Sequence, residues 1–238
     1  MLFTTERCLL CGGEAADAES WSSLFAKTRE NPICDSCSKS LERVGGDICQ
    51  ICGRPFSAYD VTFRVKELCG DCSRWEKDDL WAGLLDRNRS LYVYNDFLKE
   101  VIARYKYRGD YILARAFSNL AAVEIQKMKP DIVVPIPLSP ERQYERGFNQ
   151  AEAVIREAGL PYQQLLARIH GEKQSKKSRN ERINVPQVFR LTESSGFAAK
   201  KILLVDDIYT TGSTLRHAAK LLKEGGAGEI SSFTIARG

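Results

Sequence analysis

Two adjacent carboxylates and four hydroxyl side chains meet in the stretch 202–214, ILLVDDIYTTGST. An apolar run ends there at Asp206 and Asp207, and Thr210, Thr211, Ser213 and Thr214 surround Gly212. A loop that feeds a helix N-terminus presents unpaired N–H groups and the positive end of the helix dipole, and a phosphate fits there. The hydroxyls add donors, and a glycine lets the backbone approach a ligand closely. Two carboxylates beside a phosphate alone would repel it. They make chemical sense if the ligand also carries vicinal hydroxyls that donate to the acids, or a Mg²⁺ that cancels their charge. A ribose 5-phosphate meets both demands. The lysine and spacing of GxxxxGK[ST] are absent, so the loop is not a P-loop. A plain helix cap accounts for one hydroxyl and leaves the carboxylates unexplained.

Such a loop needs a buried strand before it and a helix after it. The spacing predicts a strand over 201–205 and a helix whose apolar face holds Leu215, Ala218, Ala219 and Leu222. The same order of strand, polar turn and helix is expected from DIVVPIPLSPERQYERGFNQ into AEAVIREAGL, and EISSFTIARG reads as a last strand. Near the middle of the chain LYVYN reads as a short strand. Asn95 and Asp96 then supply an N-cap for a helix with Leu98, Val101, Ile102 and Tyr105 on one face. Alternating strands and helices imply an α/β fold with a parallel sheet and ligands at the carboxyl ends of its strands. Arg104, Lys106 and Arg108 close the middle helix, interleaved with Tyr105 and Tyr107. They read either as a solvated helix end, where cations complement the dipole, or as a stacking and phosphate-contacting surface for nucleic acid.

The eight cysteines occupy four units of one spacing: Cys8 and Cys11, Cys34 and Cys37, Cys49 and Cys52, Cys69 and Cys72. Each CxxC turns two thiolates toward one ion, so four units supply two Cys₄ shells of the structural zinc kind. Sequential use joins Cys8, Cys11, Cys34 and Cys37 in one site and Cys49, Cys52, Cys69 and Cys72 in the other. It closes shorter loops than a cross-braced arrangement and is the expected pairing. Trp21, Leu24 and Phe25, at helical spacing, are expected to fill the core of the first half. His170 and His217 lack any partner pattern that would make them ligands or bases, and His217 is expected to face solvent.

The whole chain has 238 residues, 43% of them hydrophobic, and a formal charge of +4. That is enough for one full-sized core with an appendage, and the mild positive charge permits an anionic partner without arguing for one. The organisation expected is a zinc-ribbon module over 1–75, a connector over 76–90 in which Trp75 and Trp81 dock it, and an α/β domain over 91–238. The opening MLFTTERCLLCGG lacks the basic start and apolar core of a signal peptide, and no stretch is long enough to cross a bilayer. A cytoplasmic setting is expected.

VDDIYTTGST resembles the sequence by which type I phosphoribosyltransferases bind phosphoribosyl pyrophosphate. The resemblance implies that Asp206 and Asp207 face the ribose hydroxyls, with Mg²⁺ accompanying the ligand, and that Thr210, Thr211, Gly212, Ser213 and Thr214 hold the 5-phosphate. Thr210 stands where purine-salvage enzymes carry an acid, which argues against a purine acceptor. PIPLSPERQYERGFNQA, EKQSKKSRNERINV and LLVDDIYTTGSTL, behind paired CxxC units and with RNRSLYVYND and KYRGD, together resemble the ComF family almost from end to end. That likeness implies a pyrophosphate loop with Ser139, Arg142, Arg146 and Gly147, and a covering loop over 173–185 carrying Lys173, Lys176, Lys177, Arg179 and Arg182. Those cations either clamp pyrophosphate or follow a nucleic-acid backbone. It further implies a role in natural transformation, handling single-stranded DNA at the inner face of the membrane with the competence helicase ComFA. Two functions follow: a DNA-uptake factor with a phosphoribosyl cradle, or an active Mg²⁺-dependent phosphoribosyltransferase with an unidentified acceptor.

Overall fold

The computed structural model describes residues 7–14, 33–58, 61–169, 188–192 and 196–238. The trio Trp21, Leu24 and Phe25, together with His170 and the 173–185 loop with its five cations, lies outside the described residues. In the cysteine-rich part, helices α1 (Asp35–Ser40) and α2 (Gly70–Glu76) each begin directly after a cysteine. Strand β1 (Arg87–Val93) leads into α3 (Asp96–Tyr107) and α4 (Leu113–Met128). Then come β2 (Ile132–Pro135), α5 (Pro140–Arg146), α6 (Gln150–Glu157), the short strands β3 (Leu166–Arg168) and β4 (Phe189–Leu191), β5 (Ile202–Tyr209), α7 (Ser213–Glu224) and β6 (Ile230–Arg237).

The main sheet is parallel, in the order β1-β6-β5-β2, and β3 and β4 form a separate antiparallel pair. Along β5 the pleat sends Leu203 and Val205 into a core shared with α3, α4 and α6, while Ile202 and Leu204 enter a second core with α7, β3 and β4. Both faces are covered, as a parallel sheet requires. The two halves of the cysteine module divide between the same two cores. Cys8, Leu10, Cys37 and Leu41 join the first; Cys49, Cys52, Phe56, Cys69 and Cys72 join the second. The module also covers the outer edge of β1, where Val44 N–H donates to Leu91 O, Val93 N–H to Glu42 O, and Asn88 Nδ2 to Cys52 O. An edge strand left open would present unpaired backbone groups.

Three elements differ from the sequence reading. Strand β1 starts at Arg87 instead of Leu91, because Arg87, Asn88, Arg89 and Ser90 pair with Ser231, Ser232, Phe233 and Thr234 of β6. Strand β5 runs on to Tyr209 instead of stopping at Val205, for β6 offers partners as far as Arg237. Asp206 and Asp207 therefore sit inside a strand rather than beyond it. The turn after β2 is a short helix, α5, capped by the Ser139 side chain, started by Pro140 and ended by Gly147 at φ 77°. The cap expected at Asn95 is present, with its side chain accepting from Leu98 N–H, and Leu98, Val101, Ile102 and Tyr105 are all buried.

Candidate functional site

Because β5 continues past Val205, its pleat sends the two acids to opposite faces. Asp207 turns toward α3 and α5: Lys106 Nζ lies 2.9 Å from its Oδ2 and an Arg146 guanidinium nitrogen 3.9 Å away. Asp206 accepts from the Asp207 amide at 2.8 Å and lies in the field of Arg168, at the end of β3. Burial, and then the charge of Asp207, push the Asp206 carboxyl up to about 7, against the pull of Lys106 and Arg146. Burial lowers Arg168, as do the like charges of Arg142 and Arg146, while Asp206 raises it. The acid pair is thus ringed by Lys106, Arg142, Arg146 and Arg168. A multiply charged anion that also brings hydroxyls or a cation to the acids matches that field; a neutral ligand does not.

Beyond the acids, Asp206 and residues 208–215 line a hollow of about 30 Å³. That is room for a small anionic group. Gly212 is the N-cap of α7 at φ 80°, and no side chain caps the helix. A Cβ at Gly212 would lie 2.2 Å from the Tyr209 hydroxyl, so the glycine is required by packing as well as by its dihedral angle. Thr210 and Thr211 are exposed, and Ser213 and Thr214 are half-buried in the first turn of α7. The expectation that Ser or Thr merely caps this helix fails. The hydroxyls remain available to a ligand.

The two cysteine sets are those of sequential pairing. Within each, the four sulfurs lie inside 4.8 Å of one another. Cys11 Sγ is 3.8 Å from Cys34 Sγ, and Cys52 Sγ is 3.5 Å from Cys69 Sγ. A zinc–sulfur bond of about 2.3 Å places tetrahedral sulfurs about 3.8 Å apart, so the sets fit structural zinc. Backbone amides support the sulfurs: Cys34 N–H donates to Cys8 Sγ and Cys69 N–H to Cys49 Sγ, each at 3.3 Å. Hydrogen bonds from Cys52, Cys69 and Cys72 push the Cys49 thiol down, and hydrogen bonds with Cys49, Cys52 and Cys69 push Cys72 up. The four groups share charge that a dication would hold on all of them.

Residues 1–73 match the model of the double zinc ribbon domain, and residues 112–238 match that of the phosphoribosyl transferase domain. The chain is 40% identical over 234 residues to competence protein ComFC of Bacillus subtilis, covering 97% of this chain and 94% of that protein. The chain belongs to the ComF family. Its likeness to ComFC of Streptococcus pneumoniae is 35% over 232 residues, with 97% and 100% of the two chains covered. DNA utilization protein YhgH of Escherichia coli is 26% identical over 229 residues, covering 86% and 90%.

In this ComF chain the structure gathers most of the residues named from sequence at one end of the sheet. Arg146 turns inward, while Arg142 stays exposed on α5; Ser139 and Gly147 sit at the two ends of that helix, where they shape the path of the chain. Of the four residues at the end of α3, Lys106 faces the acids and Arg104 turns away. Arg104 pairs with Asp110 at 3.2 Å and donates to the Leu10 carbonyl, fastening the first ribbon to α3. Tyr107 and Arg108 remain on the surface, with the Tyr107 ring 72% exposed and the Arg146 guanidinium over it.

Sequence reasoning missed Arg168 and Tyr144. Arg168 has no local pattern to mark it, and Tyr144, 92% exposed on α5, is one tyrosine in a polar run. The docking expected of Trp75 and Trp81 is observed, edge to face at 5.3 Å. His217 is not solvent-facing: it is half-buried against Trp81 at 4.7 Å, with Nδ1 bonded to the Ser213 carbonyl at 2.7 Å. Among the described residues no helix is long and apolar enough to cross a membrane.

Proposed function

We propose that the protein handles incoming single-stranded DNA in natural transformation and that its acid pair and loop bind a phosphoribosyl pyrophosphate-type ligand with Mg²⁺. The observation that carries the ligand half is the ring of Lys106, Arg142, Arg146 and Arg168 around Asp206 and Asp207, beside an uncapped helix start. Asp206 and Asp207 would face the ribose hydroxyls or hold Mg²⁺, which supplies charge neutralisation when bound. The 210–214 loop would take the 5-phosphate, and the four cations the pyrophosphate. The DNA half is supported by kinship and by an exposed rim in which Tyr107 and Tyr144 accompany Arg108 and Arg142. Bases stack on aromatic rings without regard to sequence, and arginines follow the phosphates. Contact with the helicase ComFA and with the membrane-bound uptake machinery belongs to the same proposal through kinship.

A second reading is favoured by the cations: Lys106 and Arg146 lie where they could stabilise a departing pyrophosphate as the ribose C1–O bond breaks and an acceptor's electron pair forms the new bond. Release of pyrophosphate from phosphoribosyl pyrophosphate in the presence of candidate acceptors tests for turnover.

For the binding proposal, phosphoribosyl pyrophosphate with Mg²⁺ is expected to raise the melting temperature. Replacing both acids, Asp206→Ala with Asp207→Ala, should abolish that rise. Tyr107→Ala and Tyr144→Ala should each weaken binding of a labelled oligothymidylate by roughly fivefold or more, and leave the ligand-induced shift intact. Unchanged oligonucleotide affinity in the double variant would refute the rim, and absence of any Mg²⁺-dependent shift would refute the cradle.

A further inference from the structure

Arg237, in the last turn of the sheet, is 2% exposed, and its guanidinium reaches in two directions at once. One terminal nitrogen donates to the carbonyls of Tyr209 and Thr210, each at 3.1 Å; the other donates to Cys52 Sγ at 3.0 Å. The guanidinium carbon stands 4.8 Å from the centroid of the Tyr209 ring, the ring on which Gly212 packs. The next carbonyl, that of Thr211, accepts from Trp75 Nε1 at 3.0 Å, and Trp75 lies on α2, the helix that also carries Cys72. Three consecutive carbonyls of the phosphate loop are therefore held by groups fixed to the second cysteine set. In a planar trans peptide the N–H that follows a carbonyl points the opposite way. Holding the Thr210 and Thr211 carbonyls toward the ribbon thus turns the N–H groups of Thr211 and Gly212 away from it.

We propose that the second metal centre positions the phosphate loop, with Arg237 as the positioning residue, so that metal retention at Cys49, Cys52, Cys69 and Cys72 and anion binding at the loop are coupled. This rests on the phosphoribosyl reading of the loop. A Cys₄ zinc centre carries net negative charge, which orients and retains the guanidinium; without it Arg237 loses one of its anchors and the loop carbonyls lose theirs. Coupling between two binding equilibria is reciprocal, so a ligand that orders the loop must slow loss of the metal. The first cysteine set lies across the sheet and has no such link among the described residues.

The test measures zinc release to a chromogenic chelator from the full-length protein, with and without phosphoribosyl pyrophosphate and Mg²⁺, alongside ligand affinity by calorimetry. Two zinc ions per chain are expected, one of which leaves about tenfold more slowly when the ligand is present. In Arg237→Met both ions still bind, but the ligand no longer slows release and its own affinity falls by about tenfold; Arg237→Lys restores part of each effect. A ligand that binds the wild-type protein without altering zinc release overturns the coupling alone. A ligand that does not bind at all overturns the phosphoribosyl reading and the coupling with it. Should the methionine variant not fold, the wild-type comparison and the lysine variant still decide the question.

Discussion

Loss of the ion from the second cysteine set lowers the melting temperature by more than about 10 °C, and Cys72→Ser reproduces most of that fall. Cys49, Cys52 and Cys69 are fully buried and Cys72 is 1% exposed, in a core they share with Leu85, Leu204 and Tyr209. Four thiols left together there cannot all ionise, and their mutual hydrogen bonds already drive Cys49 and Cys72 in opposite directions. Structural zinc contributes on the order of 10 kcal/mol to such modules, and in a chain of this size about 1 kcal/mol moves the midpoint by about 2–4 °C. The first set differs. Its Cys11 is exposed and Cys34 half-buried, so Cys11→Ser should cost less than half as much. Thermal melts of metal-replete, chelated and substituted protein, each with its zinc content measured, decide the matter. A fall of less than about 2 °C on loss of the second ion would show that the sheet carries this core alone.

The second large effect has the opposite sign. Asp206→Asn should stabilise the protein at pH 8 while removing its Mg²⁺-dependent response to phosphoribosyl pyrophosphate. Asp206 is raised from 3.8 to about 7 by burial and by Asp207, with Lys106 and Arg146 opposing and Arg168 nearby. Between those values the folded chain holds a proton that the unfolded chain has released. Stability therefore declines as pH rises from about 4 to about 7 and stays at the lower level above it. Asparagine carries no charge to desolvate. Its melting temperature should exceed that of the wild type by roughly 3–6 °C at pH 8, and the difference should vanish near pH 4. Ligand affinity in the wild type should strengthen between pH 6 and pH 8, as the pair ionises for its cation. A variant less stable than the wild type at pH 8 would mean that Asp206 is held by contacts worth more than its desolvation.

This pair of effects describes a site in which stability is given up for binding. The acid is retained in a surrounding that penalises its charge, and the four cations reduce that penalty without removing it. A ligand that brings Mg²⁺ or hydroxyl donors would relieve the rest.

Much of this was legible in the amino-acid sequence because it depends on short-range geometry. The CxxC spacing determined the sulfur pairs. The Asn95 cap and the face made by Leu98, Val101, Ile102 and Tyr105 followed from one turn of helix. The acids, hydroxyls and Gly212 lay together in one strand-to-helix junction. Tertiary structure alone decided what faces them. Lys106, Arg146 and Arg168 come from three separate elements and converge on Asp206 and Asp207 only because parallel strands return to the same end of the sheet after each crossover. The same pairing lengthened β5, and so brought the acids inside a strand whose pleat sends them to opposite faces. It also set Arg237 against Cys52, 185 residues away in the chain, and closed Trp81 over His217. No local pattern encodes such contacts, because they depend on which strand edges remain free to pair and which faces remain to be covered.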